Sequence, residues 1–462
     1  MKKKISVGRR NFLKMTAAGA AGLALANANR VFAAPAAWTT GMAINPNIDN
    51  MRVVSCHDTA MMNSTPVSMT FAAQNAAANT ARIQANMDAM AMSLAQKTTA
   101  ADAWSTIFQK PAAKTWSQVK AAIKVNTIEP KNMARIAVVQ KFCNILLGYG
   151  VLPANIIIYD GNTTYAAGIS NYTPYFSLTD STKIQAAVSS YNSLMGGTIN
   201  ATVPGENTVA CSANIANGTI DILINISNNK GHIYMGGATI SMKNHFGTFA
   251  PSHTDTTNYV FNINKSDAIV GGTPPRQQLC FVDSLFANKV SNTGTPESMP
   301  CYLVMGVFGP AVDYLTVKQI REPVLGATHT ESVIDSYVTA FGYATTDPVW
   351  VVVPPTASGI SGPGSRENSG QSMDSFEVTL SNGRGPAASV RFSVPKNAGS
   401  FQVLITDMNG RTVRNLDVRS LKTDKTILWN GKSNGGGMVS PGNYSVKVRS
   451  GSVERTGKII VS

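Results

Sequence analysis

The sequence predicts an α/β protein with a mixed, mainly parallel sheet flanked by helices, followed by a small antiparallel β-sandwich. Three observations lead to this prediction. Apolar runs typical of buried strands alternate with helical segments over most of the chain. Residues 354–375 are dense in Pro, Gly and Ser, as in a flexible linker. After the linker, apolar and polar residues alternate between Gly-rich turns, which favours antiparallel strands.

The composition fits a folded protein, with 44 % hydrophobic and 14 % charged residues among 462. The net charge of +14 is uneven, because residues 1–33 carry +7 and residues 376–462 carry +8, which leaves −1 for residues 34–375. A near-neutral body lacks the basic face of a nucleic-acid-binding protein, so no nucleic-acid partner is expected. No apolar stretch after the N-terminus is long enough for a transmembrane segment in the mature chain.

Residues 1–33 have the features of an export signal, which is removed in the mature protein. A basic start precedes an apolar stretch rich in Ala and Gly, and small residues near Ala33 suit a cleavage site. Arg9-Arg10 and the following Asn-Phe-Leu-Lys resemble the twin-arginine motif, with Gly8 where Ser or Thr is usual. An ordinary secretory signal is the alternative. The resemblance implies the twin-arginine translocase as a partner and export to the periplasm or beyond.

The body, residues 34–353, contains the strand–helix pattern. Short apolar runs predict strands at 51–56, 119–126, 155–160, 220–225, 279–283 and 301–306. Helical composition or spacing predicts helices at 71–96, 101–109, 132–147, 311–321 and 331–341. Gly148 is predicted to end the third of these helices. A strand–helix–strand order of this kind predicts parallel neighbours joined by a crossover.

Several predicted strands end in a polar residue, namely Asn126, Asp160, Asn225 and Asp283. Ligands of open α/β sheets bind outside the carboxyl ends of the strands, so these side chains could share a polar crevice. Asn and Asp also favour turns, which is the alternative explanation.

The densest group of reactive side chains lies in residues 225–253, which hold Lys230, His232, Lys243, Asn244, His245 and His253. Lysine and histidine beside Gly-rich backbone suit an anion such as carboxylate, phosphate or sulfate. Clustered histidines also suit a metal, although the spacing fits neither an HExxH protease nor a zinc finger. A Gly-rich surface loop with solvated charges is the third interpretation.

The segment LINISNNKGHIYMGGATISMKNHFG resembles the core motif of the domain of unknown function 362 family. Further landmarks follow in family order, at IKVN, CFVDSLFA, GPAVDYLTVKQI and FGYATTDPVWV, so that the resemblance covers about residues 50–353. The family has no established general activity. Some relatives carry ferredoxin-like cluster domains, but the five cysteines of this chain form no CxxC, so an iron–sulfur cluster is not expected.

The resemblance sharpens the choice of candidate residues. The candidates for binding an anionic ligand are Lys124, Asn126, Lys230, Lys243 and Asn244. The candidates for catalysis are Asp283, Asp313 and His232, and the candidates for a divalent metal are His57, His232 and His245. Each aspartate could be a general base, a metal ligand or an ion-pair partner, and Asp313 could also cap a helix.

The tail, residues 376–462, predicts a small antiparallel β-sandwich. Trp429-x-Gly431 and the later Pro441-Gly-Asn-Tyr444 resemble the immunoglobulin-like domain of the flagellar hook-capping protein. The same segment is similar to the C-terminal sorting domain of type IX secretion, which implies that machinery as a partner and a cell-surface or extracellular location. An inert stabilising appendage is the alternative.

Three hypotheses for function follow. The first is an enzyme, metal-assisted or not, acting on a small anionic substrate. The second is a non-catalytic protein that binds a ligand or metal at the cell surface. The third is a scaffold or adhesion protein, which the dense Lys/His segment makes the weakest.

Overall fold

The computed structural model describes residues 42–161 and 168–356 and, nearer the C-terminus, 377–382, 388–393, 401–407, 411–418, 425–429, 432–440, 442–450 and 453–461. The chain divides into two compact units after Thr356. Within the described residues, no helix is both long and apolar enough to cross a membrane. The predicted signal peptide and residues 357–375 of the predicted linker lie outside the described residues.

The N-terminal unit contains eleven described strands. They are β1 Arg52–His57, β2 Ala121–Lys124, β3 Ile156–Asp160, β4 Ala187–Ser190, β5 Thr198–Ala201, β6 Val209–Ser212, β7 Ile222–Gly231, β8 Ala238–Thr239, β9 Gln277–Ala287, β10 Tyr302–Gly306 and β11 Val349–Val352. The short strands β5 and β6 pair with each other, and the other nine form one sheet.

Ten described α-helices accompany the sheet. They are α1 Phe71–Ala77, α2 Thr80–Ala95, α3 Ala100–Ile107, α4 Ile136–Tyr149, α5 Ala213–Ala216, α6 Ser241–Asn244, α7 Thr256–Asn264, α8 Asp267–Val270, α9 Gly309–Thr316 and α10 Glu331–Thr339. A π-helical turn, Val317–Arg321, continues α9.

The main sheet has the order β11-β1-β10-β9-β7-β2-β3-β4, with β8 paired to β7. Pairing is parallel from β9 through β7, β2 and β3 to β4, and again between β1 and β11. The strand β10 is antiparallel to both of its neighbours, β9 and β1. The prediction of a mixed, mainly parallel sheet flanked by helices is therefore confirmed.

The central strands are apolar throughout because both faces of a parallel sheet are covered. All residues of β3 and β9 are buried. On one face, Trp104 of α3 and Phe281 of β9 each pack edge-on against Phe142 of α4, with ring centroids 5.9 and 5.5 Å apart. Losing the Phe142 ring would cost about 3–5 kcal/mol of stability, the usual range for a buried aromatic.

Two predicted helices differ from the structure at their ends. The helix predicted over 71–96 is two helices, because the side chain of Asn79 accepts an amide N–H 3.1 Å away and begins α2 as its N-cap. The helix predicted over 132–147 begins only at Ile136 and continues past Gly148. It ends at Gly150, whose φ of 94° is the left-handed conformation that favours glycine.

The strands β7 and β9 are longer than predicted. They continue to Gly231 and Ala287, so that Asn225 and Asp283 lie within strands rather than at their ends. Parallel pairing between the two strands persists from Leu223 onward. A polar side chain does not end a strand as long as the backbone still hydrogen-bonds to a neighbouring strand.

The C-terminal unit contains described antiparallel strands, as predicted. They are β12 Glu377–Asn382, β13 Ala388–Ser393, β14 Phe401–Thr406, β15 Thr412–Val418, β16 Lys425–Trp429, β17 Gly442–Ser450 and β18 Val453–Val461. They form two sheets, with the orders β12-β13-β16 and β15-β14-β17-β18. The motif positions Gly431 and Pro441 lie outside the described residues.

Candidate functional site

A small cavity lies where β2 and β3 end and where β7 approaches its end. Its volume is about 110 Å³, which gives room for roughly four water molecules at about 30 Å³ each. Carboxyl ends of parallel strands are the usual place for a ligand in an open α/β sheet. The lining residues are Asn126, Ile128, Asp160, Lys230, His232, Thr239, Lys243, Asn244, Phe246, Gly247, Pro251, His253 and Asn292.

A buried ion pair lies beside the cavity. Lys124 Nζ is 2.6 Å from Asp160 Oδ1, and it also donates to the carbonyl of Val125 and to Asn244 Oδ1. The other carboxylate oxygen of Asp160 accepts from the amide and hydroxyl of Thr127. Burial lowers the pKa of Lys124, while Asp160 opposes that shift. Lys124 does not line the cavity, and it neutralises Asp160, the only carboxylate in the described lining.

Gly247 packs its backbone directly against this ion pair. A Cβ at Gly247 would overlap the Asp160 carboxylate and would lie 2.6 Å from Lys124 Nζ. A side chain at this position would therefore displace the pair. Only glycine permits this close approach.

Lys230, from the end part of β7, is held by a chain of amide side chains. Lys230 Nζ donates to Asn126 Oδ1 at 2.6 Å, and Asn126 Nδ2 donates to Asn244 Oδ1 at 3.2 Å. Asn244 Nδ2 in turn donates to Asn225 Oδ1 at 2.8 Å. These bonds fix the Lys230 amine at the cavity wall without supplying a negative charge.

Burial lowers the pKa of Lys230 to about 7. The carboxylates of Asp160 and Glu129 raise this pKa, and the cations of Lys124 and Arg135 lower it further. Among the described residues, Lys230 has no carboxylate within ion-pair distance.

Lys243 presents a second amine to the cavity. Its Nζ lies 4.1 Å from the centroid of the Phe246 ring, a cation–π contact. Within the described part of the chain, the amine has neither an ion pair nor a hydrogen bond. Burial lowers its pKa to about 8.

Two histidines line the same cavity as Lys243. His232 Nδ1 accepts the backbone N–H of Tyr234 at 2.9 Å, so the neutral ring carries its proton on Nε2. Burial, and then the charges of Lys243 and His253, lower the pKa of His232 to about 4. The pKa of His253 is lowered by the same kinds of effect. Both rings are therefore neutral at pH 7, and they can donate or accept hydrogen bonds without adding charge.

The three histidines predicted as metal ligands do not come together. His245 is buried, and its Nε2 lies 2.7 Å from Gln277 Oε1 while its Nδ1 lies 3.2 Å from Thr248 Oγ1. His57 is exposed at the end of β1 and stacks on Tyr302 with centroids 4.5 Å apart. Of the three, only His232 lines the cavity. Among the described residues, no three His, Cys, Asp or Glu side chains form a metal-holding group.

The two aspartates predicted as catalytic residues lie outside the cavity lining. Asp283 Oδ2 accepts the backbone N–H of Arg135 at 2.6 Å, and the Arg135 guanidinium is 3.9 Å away. Asp313 accepts the backbone N–H groups of Ser241 and Met242, both at 2.8 Å. Burial raises the pKa of both carboxyls, that of Asp313 to about 7. Each aspartate positions a backbone segment, and Asp313 anchors the turn that carries Lys243.

The structure thus places five predicted residues at the cavity, namely Asn126, Lys230, His232, Lys243 and Asn244. The prediction missed Asp160 as a site residue, although its position at a strand end pointed to the crevice. It also left out His253, which the dense segment contains. Phe246 and Asn292 gave no sequence signal, because only the fold brings them to the cavity.

Two family models match parts of the chain. Residues 121–307 match the family described as Domain of unknown function (DUF362), and residues 377–453 match the FlgD Ig-like domain. The first match contains every residue that lines the cavity. It is narrower than the resemblance over about 50–353 that the sequence motifs indicate. No curated protein matches the chain.

Similarity to solved structures is weak. FLGD from P. Aeruginosa has 17 % identity and a TM-score of 0.14, over 16 % of this chain and 57 % of that one. A beta-glucuronidase of uncultured Clostridium sp. has 16 % identity and a TM-score of 0.13, over 19 % of this chain and 14 % of that one. An engineered protein has 10 % identity and a TM-score of 0.15, over 66 % of this chain and 48 % of that one. The chain spans less than two thirds of each, and these scores support neither fold nor function.

Proposed function

We propose that the cavity binds a small anion, either a carboxylate or a phosphate. The observation that carries this proposal is the pair of lysine amines, Lys230 and Lys243, which line one cavity without a carboxylate partner in the described chain. A buried ammonium group is costly unless it is paired. A bound anion supplies the missing partner for both.

The charge balance of the cavity supports an anion rather than a cation. Asp160 is the only carboxylate in the described lining, and its charge is compensated by Lys124 at 2.6 Å. The remaining charged groups of the lining are the two lysines. His232 and His253 are neutral donors that can bond to an anion's oxygens.

The size and walls of the cavity favour a small organic anion. The volume of about 110 Å³ excludes a nucleotide or a large sugar phosphate from full enclosure. Apolar wall is supplied by Ile128, Phe246 and Pro251. The carbon skeleton of a short organic anion would contact these apolar side chains, while its charged group would contact the lysines.

A thermal-shift screen of acetate, pyruvate, phosphate and sulfate tests the proposal. A ligand at a hundred times its Kd stabilises the folded state by about 2.7 kcal/mol. Lys243→Met should weaken binding about ten- to hundredfold, because a hydrogen bond to a charged group contributes about 1.5–3 kcal/mol.

Lys265→Met is the matched control. Lys265 also lies over an aromatic ring, Phe341 at 5.0 Å, but it does not line the cavity. This variant should keep the affinity of the wild-type protein. Equal loss in both variants, or no stabilisation by any anion, would refute the proposed site.

For the whole protein, we propose export through the twin-arginine route and a tail that forms an immunoglobulin-like β-sandwich for sorting or surface attachment. The Arg9-Arg10 motif, the seven antiparallel strands and the FlgD Ig-like match support this proposal. Replacing Arg9 and Arg10 by lysine should leave the protein in the cytoplasm on cell fractionation. Unchanged export would contradict the twin-arginine route.

A further inference from the structure

We propose that Lys230 is a nucleophile that forms an imine with the carbonyl carbon of a small 2-oxo acid, whose carboxylate is held by Lys243. This inference rests on the proposed anion site and names its ligand class. A 2-oxo acid carries a carboxylate next to a carbonyl group, and the cavity presents two amines of different character to such a ligand.

The geometry of Lys230 suits a nucleophile. Its side chain is only 2 % exposed, so bulk water does not solvate the amine. Asn126 Oδ1 accepts one N–H at 2.6 Å and holds the nitrogen in place. Because an amide oxygen carries no net charge, it orients the amine without locking it as an ammonium ion. Once the amine is deprotonated, its nitrogen has a lone pair for attack at the cavity wall.

Lys243 suits the other role, that of the cation that holds the carboxylate. The face of the Phe246 ring, 4.1 Å from Nζ, favours the charged form of the amine. Among the described residues, Lys230 has no such ring contact. Burial lowers its pKa more than the carboxylates of Asp160 and Glu129 raise it, so its ammonium form is disfavoured. Their pKa values follow the same order, because that of Lys230, at about 7, is lower than that of Lys243, at about 8.

The chemistry balances without an added oxidant or reductant. The Lys230 nitrogen attacks the carbonyl carbon, forming a C–N bond while the carbonyl oxygen takes a proton. The resulting hydroxyl leaves as water when its C–O bond breaks, which gives the C=N bond. Departure of the hydroxyl as water needs a second proton, and the two protons lost by the Lys230 nitrogen supply both hydrogens of that water. The neutral His232 ring can donate a hydrogen bond from Nε2–H to the oxygen in the same cavity. The net change is amine plus ketone to imine plus water.

Reductive trapping tests this inference on the full chain. The protein is incubated with pyruvate and sodium cyanoborohydride at about pH 7, where an amine with a lowered pKa is partly neutral. Intact mass and peptide mapping then locate the product. We expect one reduced pyruvyl group per chain, on Lys230.

Variants check the assignment. Lys230→Arg should lose the label, because a guanidinium stays protonated and is not a nucleophile. Lys265→Arg should keep it. If Lys230→Arg does not fold, peptide mapping of the wild-type protein still identifies the labelled lysine. Label on Lys243 or spread over exposed lysines would overturn the inference.

Thermal shift with acetate, without reductant, separates this inference from the proposed function. Stabilisation by acetate with no pyruvate label would overturn the imine and leave the anion site standing. Absence of both stabilisation and label would overturn both.

Discussion

Replacement of Asp160 by asparagine tests the charge balance beside the cavity. Lys124 is fully buried, and its hydrogen-bond neighbours among the described residues are Asp160, Val125 and Asn244, of which only Asp160 is charged. Asp160→Asn keeps the shape of the side chain but leaves Lys124 as an uncompensated buried cation. Breaking a buried pair in this way typically costs about 3–5 kcal/mol.

The assay is urea unfolding followed by tryptophan fluorescence, since Trp104 is buried in the same unit. Glu331→Gln provides the control, because Glu331 pairs with Lys318 while its side chain is 64 % exposed. An exposed pair of this kind contributes about 0–1 kcal/mol. If Asp160→Asn were no more destabilising than Glu331→Gln, the buried pair would not be the structural element described above.

Three further predictions concern the same cavity. Acetate binding requires protonated lysines, so its affinity should fall above about pH 8. We expect a fall of about tenfold per pH unit for each of Lys230 and Lys243 that must be protonated, measured by calorimetry at several pH values. Constant affinity up to pH 10 would contradict this. Gly247→Ala should cost about 1–3 kcal/mol in urea unfolding through overpacking, and wild-type stability would argue against the close approach. Asp313→Asn should cost about 1–3 kcal/mol and weaken acetate binding, because its carboxylate anchors the turn that carries Lys243. Unchanged acetate affinity would exclude that positioning role.

The sequence predicted the sheet and five of the residues that line the cavity, because both depend on local patterns. Apolar runs located the central strands, and the dense segment around Lys230 and Lys243 located the polar wall. The helix break at Asn79 was missed, although Asn is a preferred N-cap residue. An Ala-rich composition on both sides favoured one continuous helix, and tertiary packing decided otherwise.

The roles of the acidic residues could not be predicted in the same way. Asp283 was placed at a strand end, but β9 continues past it and the carboxylate faces Arg135. Asp160, at a true strand end, lines the cavity instead. Whether a carboxylate pairs with a cation or lines a ligand cavity depends on residues distant in sequence, such as Arg135 or Lys124. The spacing of residues along the chain does not show which distant residues lie beside it.

Calorimetric titration of acetate at about pH 8, in buffers of different ionisation enthalpy, tests the central claim most directly. Lysines with pKa values of about 7 and 8 are partly neutral there and must take up protons when an anion binds. We predict saturable binding with proton uptake, lost in a Lys230→Met, Lys243→Met double variant. Binding without proton uptake, or binding that survives in the double variant, would contradict the anion site.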